Sequence, residues 1–255
     1  MTQQTVLITG ASSGIGYATA LAFLQRGYHV AGTARQVASL RPLVEAAAPL
    51  PAEFLPLAAD VRDRHAMQAV VRQTVDRFGS LGVLVANAGV GQRGGVVESE
   101  WDHVETVLRT NIDGVLHSIR AAVPAMQQGG GGHIVLLSSV VYNMTVPYAA
   151  YYAASKAFVS SVGRSLRLEL EADHIRVTDM IVGRTDTNFN TNRLGGGRSG
   201  SGVPRMSPEV VAAGIVRGVE RNQRQVFLRF FDRFTVWANL LIPDRIGRIA
   251  LKQYK

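Results

Sequence analysis

Seven short apolar runs, each followed by a longer segment of helical period, constrain this chain more than any other feature. The runs read as strands over Thr5–Thr9, His29–Thr33, Glu53–Ala59, Val83–Ala86, His133–Ser138, Ile175–Ile181 and Gln225–Arg229. Between them, helical segments are read over Gly14–Arg26, Val37–Ala47, Arg64–Phe78, Trp101–Gln127, Tyr151–Ala172 and Ser207–Arg221. A helix between successive strands precludes hairpins and specifies parallel strands joined by crossovers. The expected fold is α/β, one doubly wound parallel sheet of about seven strands with helices on both faces. Ligands of such sheets bind beyond the carboxyl ends of the strands.

A chain of 255 residues suits one such unit. Residues 1–229 are assigned to the doubly wound domain and 230–255 to a basic, aromatic helical extension of it. With no cysteine, thiolate metal ligands, disulfides and a cysteine nucleophile are excluded, and no metal site is read. The opening MTQQTVLITG lacks a basic region and an apolar core of signal-peptide length. No apolar run reaches the roughly 18 residues of a spanning helix. A cytoplasmic protein is expected, peripheral to a membrane at most. The net charge of +8 is concentrated late in the chain, since Arg217–Lys255 holds nine Lys and Arg against three Asp and Glu. That leaves a basic tail rather than a basic domain, and with no nucleic-acid-binding motif a nucleic-acid partner is not expected.

The first strand runs directly into Thr9-Gly10-Ala11-Ser12-Ser13-Gly14-Ile15-Gly16, which opens a helix. Gly10 permits a sharp turn, Gly14 lets backbone approach a diphosphate, and Gly16 permits close packing of helix on strand. The unpaired amides of the helix start face the phosphates. Its place between a strand and a helix favours a Rossmann-type site for a dinucleotide, the other reading being a plain glycine-rich turn. An acid ending the second strand would accept from both ribose hydroxyls of NAD, but the residues there are Gly32-Thr33-Ala34-Arg35. Arg35 offers a guanidinium fork to a 2′-phosphate, so NADP(H) is favoured over NAD(H), the other reading being a solvated surface arginine. Asp60, followed by Val61, is placed to accept from an adenine amino group, and Asn87-Ala88-Gly89 follows the fourth strand. Either could instead be an ordinary turn former.

The chemistry is read from Tyr151-Tyr152-Ala153-Ala154-Ser155-Lys156. At about 100° per residue, Tyr152 and Lys156 share a helix face, whereas Tyr151 points well away from Lys156. A lysine cation one turn away is expected to stabilise the phenolate of Tyr152, which can then give a proton to a carbonyl oxygen or take one from an alcohol. Ser138 and Ser139 end the fifth strand and face opposite ways, so only one can enter the site. Asn111, a mediocre helix former inside the long fourth segment, is expected to carry a proton-relay water.

This constellation resembles the short-chain dehydrogenase/reductase family from Thr5 to about Thr187. The family's TGxxxGxG matches Thr9 to Gly16, its NAG matches Asn87 to Gly89, and its active-site asparagine, serine, tyrosine and lysine match Asn111, Ser139, Tyr152 and Lys156. The resemblance implies that Tyr152 is the general acid/base, that Lys156 also binds the nicotinamide ribose, that Ser139 polarises the substrate oxygen and that Asn111 completes a relay to solvent. It also implies a homodimer or homotetramer. Gly183, Thr185 and Thr187 fall in the family's nicotinamide-contacting segment, with one departure: Val182 stands where the family usually has proline, which would allow a looser pocket. The implied activity is hydride transfer between NADP(H) and a carbonyl or secondary alcohol. A non-catalytic redox sensor or scaffold on the same fold is the second reading.

Val140, Val141, Tyr142, Met144 and Val146 are expected to form an apolar pocket wall, favouring a small apolar substrate. The stretch Gly195–Gly202 reads as a mobile lid or a simple connector. In the tail, Phe227, Phe230, Phe231, Phe234, Trp237, Leu240 and Leu241 recur at helical steps. The stripe either packs on the domain and roofs the pocket, or lies on an anionic membrane.

Overall fold

The structure, a computed structural model, describes residues 4–189, 191–196 and 204–254. Strands β1 (Thr5–Thr9), β2 (His29–Ala34), β3 (Phe54–Ala58), β4 (Val83–Ala86), β5 (Gly132–Ser139), β6 (Ile175–Val182) and β7 (Gln225–Phe227) form a single sheet in the order β3-β2-β1-β4-β5-β6-β7. Every neighbouring pair is parallel. The order reverses between β1 and β4, which makes the crevice beyond their carboxyl ends the place for a ligand.

Helices cover both faces, which is why the central strands are apolar on successive residues. Side chains of β1 alternate: Val6 and Ile8 enter the layer beneath α1 (Gly14–Leu24), α2 (Arg41–Ala47) and α7 (Pro208–Glu220), while Leu7 enters the layer beneath α3 (Arg64–Phe78), α5 (Gly114–Gln128) and α6 (Ala150–Glu169). Local chemistry sets several boundaries. Asp63 caps α3 by accepting from the amides of His65 and Ala66, and Gly79 ends it in the left-handed conformation at φ 82°. Ser207 caps α7 just before Pro208.

Two expected helices are divided. Pro42, without an N–H, sits in the first turn of α2, and the residues before it, Val37–Leu40, form a 3₁₀ turn instead. The segment from Trp101 is α4 (Trp101–Leu108) and α5 joined by a π-helical turn over Arg109–Asp113. Such a turn holds one extra residue and re-aims the side chain it carries, here Asn111.

After β7 come α8 (Phe230–Leu241) and α9 (Pro243–Tyr254). The apolar stripe of α8 faces solvent rather than the domain, which overturns its reading as a roof. Phe230 is 84% exposed, Leu241 83%, Trp237 63%, Phe234 61% and Phe231 59%, whereas Asp232, Val236 and Asn239 are buried. Polar anchors decide this orientation. Asp232 takes a two-pronged hydrogen bond from Arg229 at 2.7 and 2.9 Å. Asn239 donates to the Asn143 carbonyl at 2.8 Å and accepts from the Thr145 amide at 3.2 Å. Among the described residues, no helix is long and apolar enough to cross a membrane.

Candidate active site

At the crevice, β1 ends in Gly10 with φ +69°, and a side chain there would meet the Ala88 Cα at 3.1 Å. Gly16 is tighter, since a Cβ would lie 2.2 Å from the Gly10 carbonyl oxygen. Gly14 has φ +55°, and Thr187 crosses over it, 3.0 Å from where a Cβ would stand. Asn87 clamps this turn, donating from Nδ2 to the carbonyls of Thr9 and Gly10 at 2.8 and 3.1 Å, while the amides of Asn87 and Ala88 both donate to the Thr9 hydroxyl. Asn87 thus builds the glycine turn rather than facing a ligand. The start of α1 is left open: Ser13 makes no side-chain cap, and no acid lies in the first turn, which contains Ile15. Ser12 is half-buried and Ser13 exposed beside it. Free amides, a helix dipole and closely approachable glycines fit a diphosphate.

At the other end of the crevice, Arg35 is exposed just past β2. Asp60, expected to accept from adenine, is gripped by Arg62, whose guanidinium donates to both carboxylate oxygens at 2.6–3.0 Å. That hydrogen bond is the main reason the Asp60 carboxyl lies below its ordinary pKa, with Arg35 adding a smaller effect. Two cations therefore flank one carboxylate here, and Arg62, only two residues after Asp60, was missed from the sequence. Val61 is buried, against Gly114.

The chemistry-bearing side chains meet beyond β4 and β5. Ser138 turns away and donates to the Lys156 carbonyl at 3.1 Å, so Ser139 is the serine that reaches Tyr152. Tyr151 points elsewhere, donating to the Val96 carbonyl at 2.8 Å. Lys156 is 6% exposed, its Nζ donating to the Leu137 carbonyl at 2.8 Å and lying 5.8 Å from the centre of the Tyr152 ring. Gly89 passes alongside, leaving room for Lys156 and Asn111. Asn111 is fully buried; it accepts from the Val90 amide at 2.8 Å and donates to the Val90 carbonyl and the Ser155 hydroxyl. The side chain expected to hold a relay water is thus engaged with protein, tying the loop after β4 to α6.

Burial dominates the electrostatics of the Tyr152 and Lys156 pair. Burial pushes Tyr152 up to about 12, with the Ser139 hydroxyl pulling it partly back, so the phenol is held protonated. The Lys156 ammonium is turned to the Leu137 carbonyl, and burial brings it down to about 8, an effect Asp179 partly offsets. A neutral phenol beside a serine hydroxyl is poised to donate a proton to an oxygen.

On the substrate side, four of the five residues of the expected apolar wall face elsewhere. Val141, Tyr142, Met144 and Val146 line a recess of about 430 Å³ with Ala150, Ala153, Ala154 and Ala157. Those α6 positions lie about 100–200° round the helix from Tyr152, on its far side. Phe189, unread in the sequence, packs on Tyr152 instead, with ring centres 5.7 Å apart. Its loop is tied back to the one after β4 through Leu194, whose amide donates to the Gly91 carbonyl. Of the expected lid, Gly195 turns against Arg93 at φ +78°, and 197–202 lie outside the described residues.

Val182 is the last residue of β6, paired with Ser139. The loop beyond it is braced: a side chain at Gly183 would strike Asp232 and Arg229, and Arg229 also donates to the Pro204 carbonyl at 2.6 Å. Thr185 is buried, donating to the Gly183 carbonyl at 3.1 Å, and bridges to Met206. The loop after the missing proline is thus held by contacts from α8 and from Met206.

Comparison with known proteins gives a match to the family model for short chain dehydrogenases over residues 4–195. The glycine betaine reductase ATRR of Emericella nidulans is 34% identical over 218 residues, which are 84% of this chain but 17% of that much longer protein. The 3-ketodihydrosphingosine reductase of Bacteroides thetaiotaomicron is 32% identical over 197 residues, 76% of this chain and 68% of that one. The X-ray structure of an alcohol dehydrogenase from the archaeon Thermococcus sibiricus, complexed with 5-hydroxy-NADP, superposes with a TM-score of 0.76 at 26% identity, covering 88% of this chain and 94% of that one.

Proposed function

Since this chain belongs to the short-chain dehydrogenase family, whose relatives here are oxidoreductases, we propose that it reduces the carbonyl of a small apolar ketone or aldehyde with NADPH, or runs the reverse reaction on the alcohol. The observation that carries this reading is the meeting of Ser139 and a protonated Tyr152 above buried Lys156, next to an open helix start. The nicotinamide, when bound, supplies or accepts the hydride.

The chain's residues do the rest. Gly10, Ser12, Ser13, Gly14, Ile15 and Gly16 would hold the diphosphate, and Asp60 and Val61 the adenine. Asn87, Ala88 and Gly89 shape the floor, Gly183, Thr185 and Thr187 the nicotinamide end, and Tyr152 with Lys156 the ribose beside it. Ser139 orients the substrate oxygen, Tyr152 gives it a proton, and Asn111 positions the loop and helix on either side. The preference for NADP(H) is supported by exposed Arg35 in a place without a competing acid, since Asp60 is already neutralised by Arg62. An apolar substrate is supported by Phe189 on the Tyr152 ring.

The test is cofactor oxidation with NADPH and NADH side by side over aliphatic ketones, aromatic ketones and polyols. Turnover of apolar ketones with NADPH at a lower KM than NADH is expected. Preference for NADH, or for polyols, would refute the finer reading, and no turnover of any carbonyl with either cofactor would refute it altogether.

A further inference from the structure

The outer face of α8 has the opposite polarity from that of an ordinary surface helix. Its buried arc carries Asp232 and Asn239 beside Val236, and its solvent arc carries Phe230, Phe231, Phe234, Trp237, Leu240 and Leu241. At about 200 Å² per ring, the four aromatics alone leave roughly 500 Å² of apolar surface in solvent, near the upper end for the largest patch on a soluble monomer. Polar anchoring on Arg229, Asn143 and Thr145 keeps the helix from rolling over to hide them.

Charge identifies what fits this face. Arg233, within the solvent arc, reaches over the Trp237 ring at 5.9 Å. The adjoining α9 is seated on the domain through Gly247 against Thr145, and it exposes Arg245, Arg248 and Lys252 within about 60° of helix arc, on the side away from that contact. Asp244 is the one acid exposed on these two helices among the described residues. A second copy docking face to face would set this cationic surface against its own equivalent. An anionic bilayer, by contrast, offers apolar depth for the rings and phosphates for the arginines. We propose that α8 and α9 form a peripheral membrane-docking surface for anionic lipid. The buried side of α8 braces the loops after β5 and β6 through Asn239 and the Arg229–Asp232 pair.

The experiment is co-sedimentation of the full chain at low salt with phosphatidylcholine vesicles containing phosphatidylglycerol, compared with phosphatidylcholine alone. Binding to the anionic vesicles only is expected, with a blue shift of Trp237 emission in a Trp101→Phe background. Arg245→Gln with Arg248→Gln should lower the partition coefficient roughly 30-fold, equivalent to about 1 kcal/mol per arginine. Phe234→Ser with Trp237→Ser should abolish binding, and both pairs should keep the parent's unfolding midpoint because all four side chains are exposed. Protein that ignores anionic vesicles, or binds both vesicle types equally, overturns the proposal. So does a serine pair that binds as before, or one that converts a dimer to a monomer without altering vesicle binding.

Discussion

Replacing Lys156 with methionine should stabilise the cofactor-free protein at neutral pH, by an amount that shrinks as the pH rises. The lysine is 6% exposed, and burial lowers its pKa from 10.5 to about 8. Below pH 8 it is charged in both folded and unfolded chains, and charging it in the folded one costs about 3 kcal/mol at 1.36 kcal/mol per tenfold change in proton affinity. Methionine removes that cost but leaves the Leu137 carbonyl without its partner, a loss of about 1–2 kcal/mol. A net gain of about 1–2 kcal/mol at pH 7 follows. Between pH 8 and 10.5 the unfolded chain binds more protons than the folded one, so parent stability rises with pH in that window. By pH 9.5 the charging cost has fallen by about 2 kcal/mol, and methionine should then be neutral or destabilising. Urea unfolding of both proteins at pH 7 and 9.5 measures the difference, in which all other titrations cancel. A difference constant to within about 0.5 kcal/mol would refute the claim that burial of the charged lysine opposes folding here.

Tyr152→Phe should abolish turnover while leaving NADPH affinity within a few-fold, and Tyr151→Phe, which loses only a bond to the Val96 carbonyl, should retain most activity; steady-state kinetics and cofactor titration separate them. Arg35→Ala should weaken NADPH by at least tenfold and NADH hardly at all, as charge-assisted contacts to a phosphate are worth about 1.5–3 kcal/mol; equal losses would reduce Arg35 to a surface residue. Gly16→Ala, whose Cβ would stand 2.2 Å from the Gly10 carbonyl, should destabilise the fold by about 1–3 kcal/mol and abolish cofactor binding, as seen by thermal shift with and without NADPH. His133, 5% exposed and lowered by burial to about 4, stays neutral in the folded chain while the unfolded one protonates near 6.5. Stability from this group should therefore fall by about 2 kcal/mol between pH 7 and 5, and His133→Gln should lack that part of the slope in denaturant melts.

The parallel sheet was legible because strand and helix periods are local properties, and the separation of Tyr152 from Tyr151 followed from helix geometry alone. What escaped depends on long-range partners. A π-helical turn has no residue signature, so Asn111 read as an ordinary helix residue that carries a relay water. The periodicity of α8 defined a stripe without saying which way it faced, and the usual inward default fails because Asp232 and Asn239 have better partners inside than the aromatics do. The loop after Ser139 looked like a pocket wall, but the 3₁₀ turn at Val140–Asn143 carries it to the far side of α6. Phe189 lay in a segment with no period to read. Arg62 was within reach, since an arginine two residues after a carboxylate in a turn is a ready partner for it.

Val182 and the Arg229–Asp232 pair are best understood together. A proline at position 182 would have no N–H for the β5–β6 ladder, and the pairing of Ser139 with Val182 would be weakened. With valine, the ladder continues to the residue that reaches Tyr152, so backbone pairing fixes Ser139. The stiffness that proline would give to the following turn must then come from elsewhere, and the ion pair packed on Gly183 supplies it while holding Pro204 across the loop. Asp232 can do this only from the inner side of α8, and with that side given to polar bracing, the apolar residues of the helix are left facing outward.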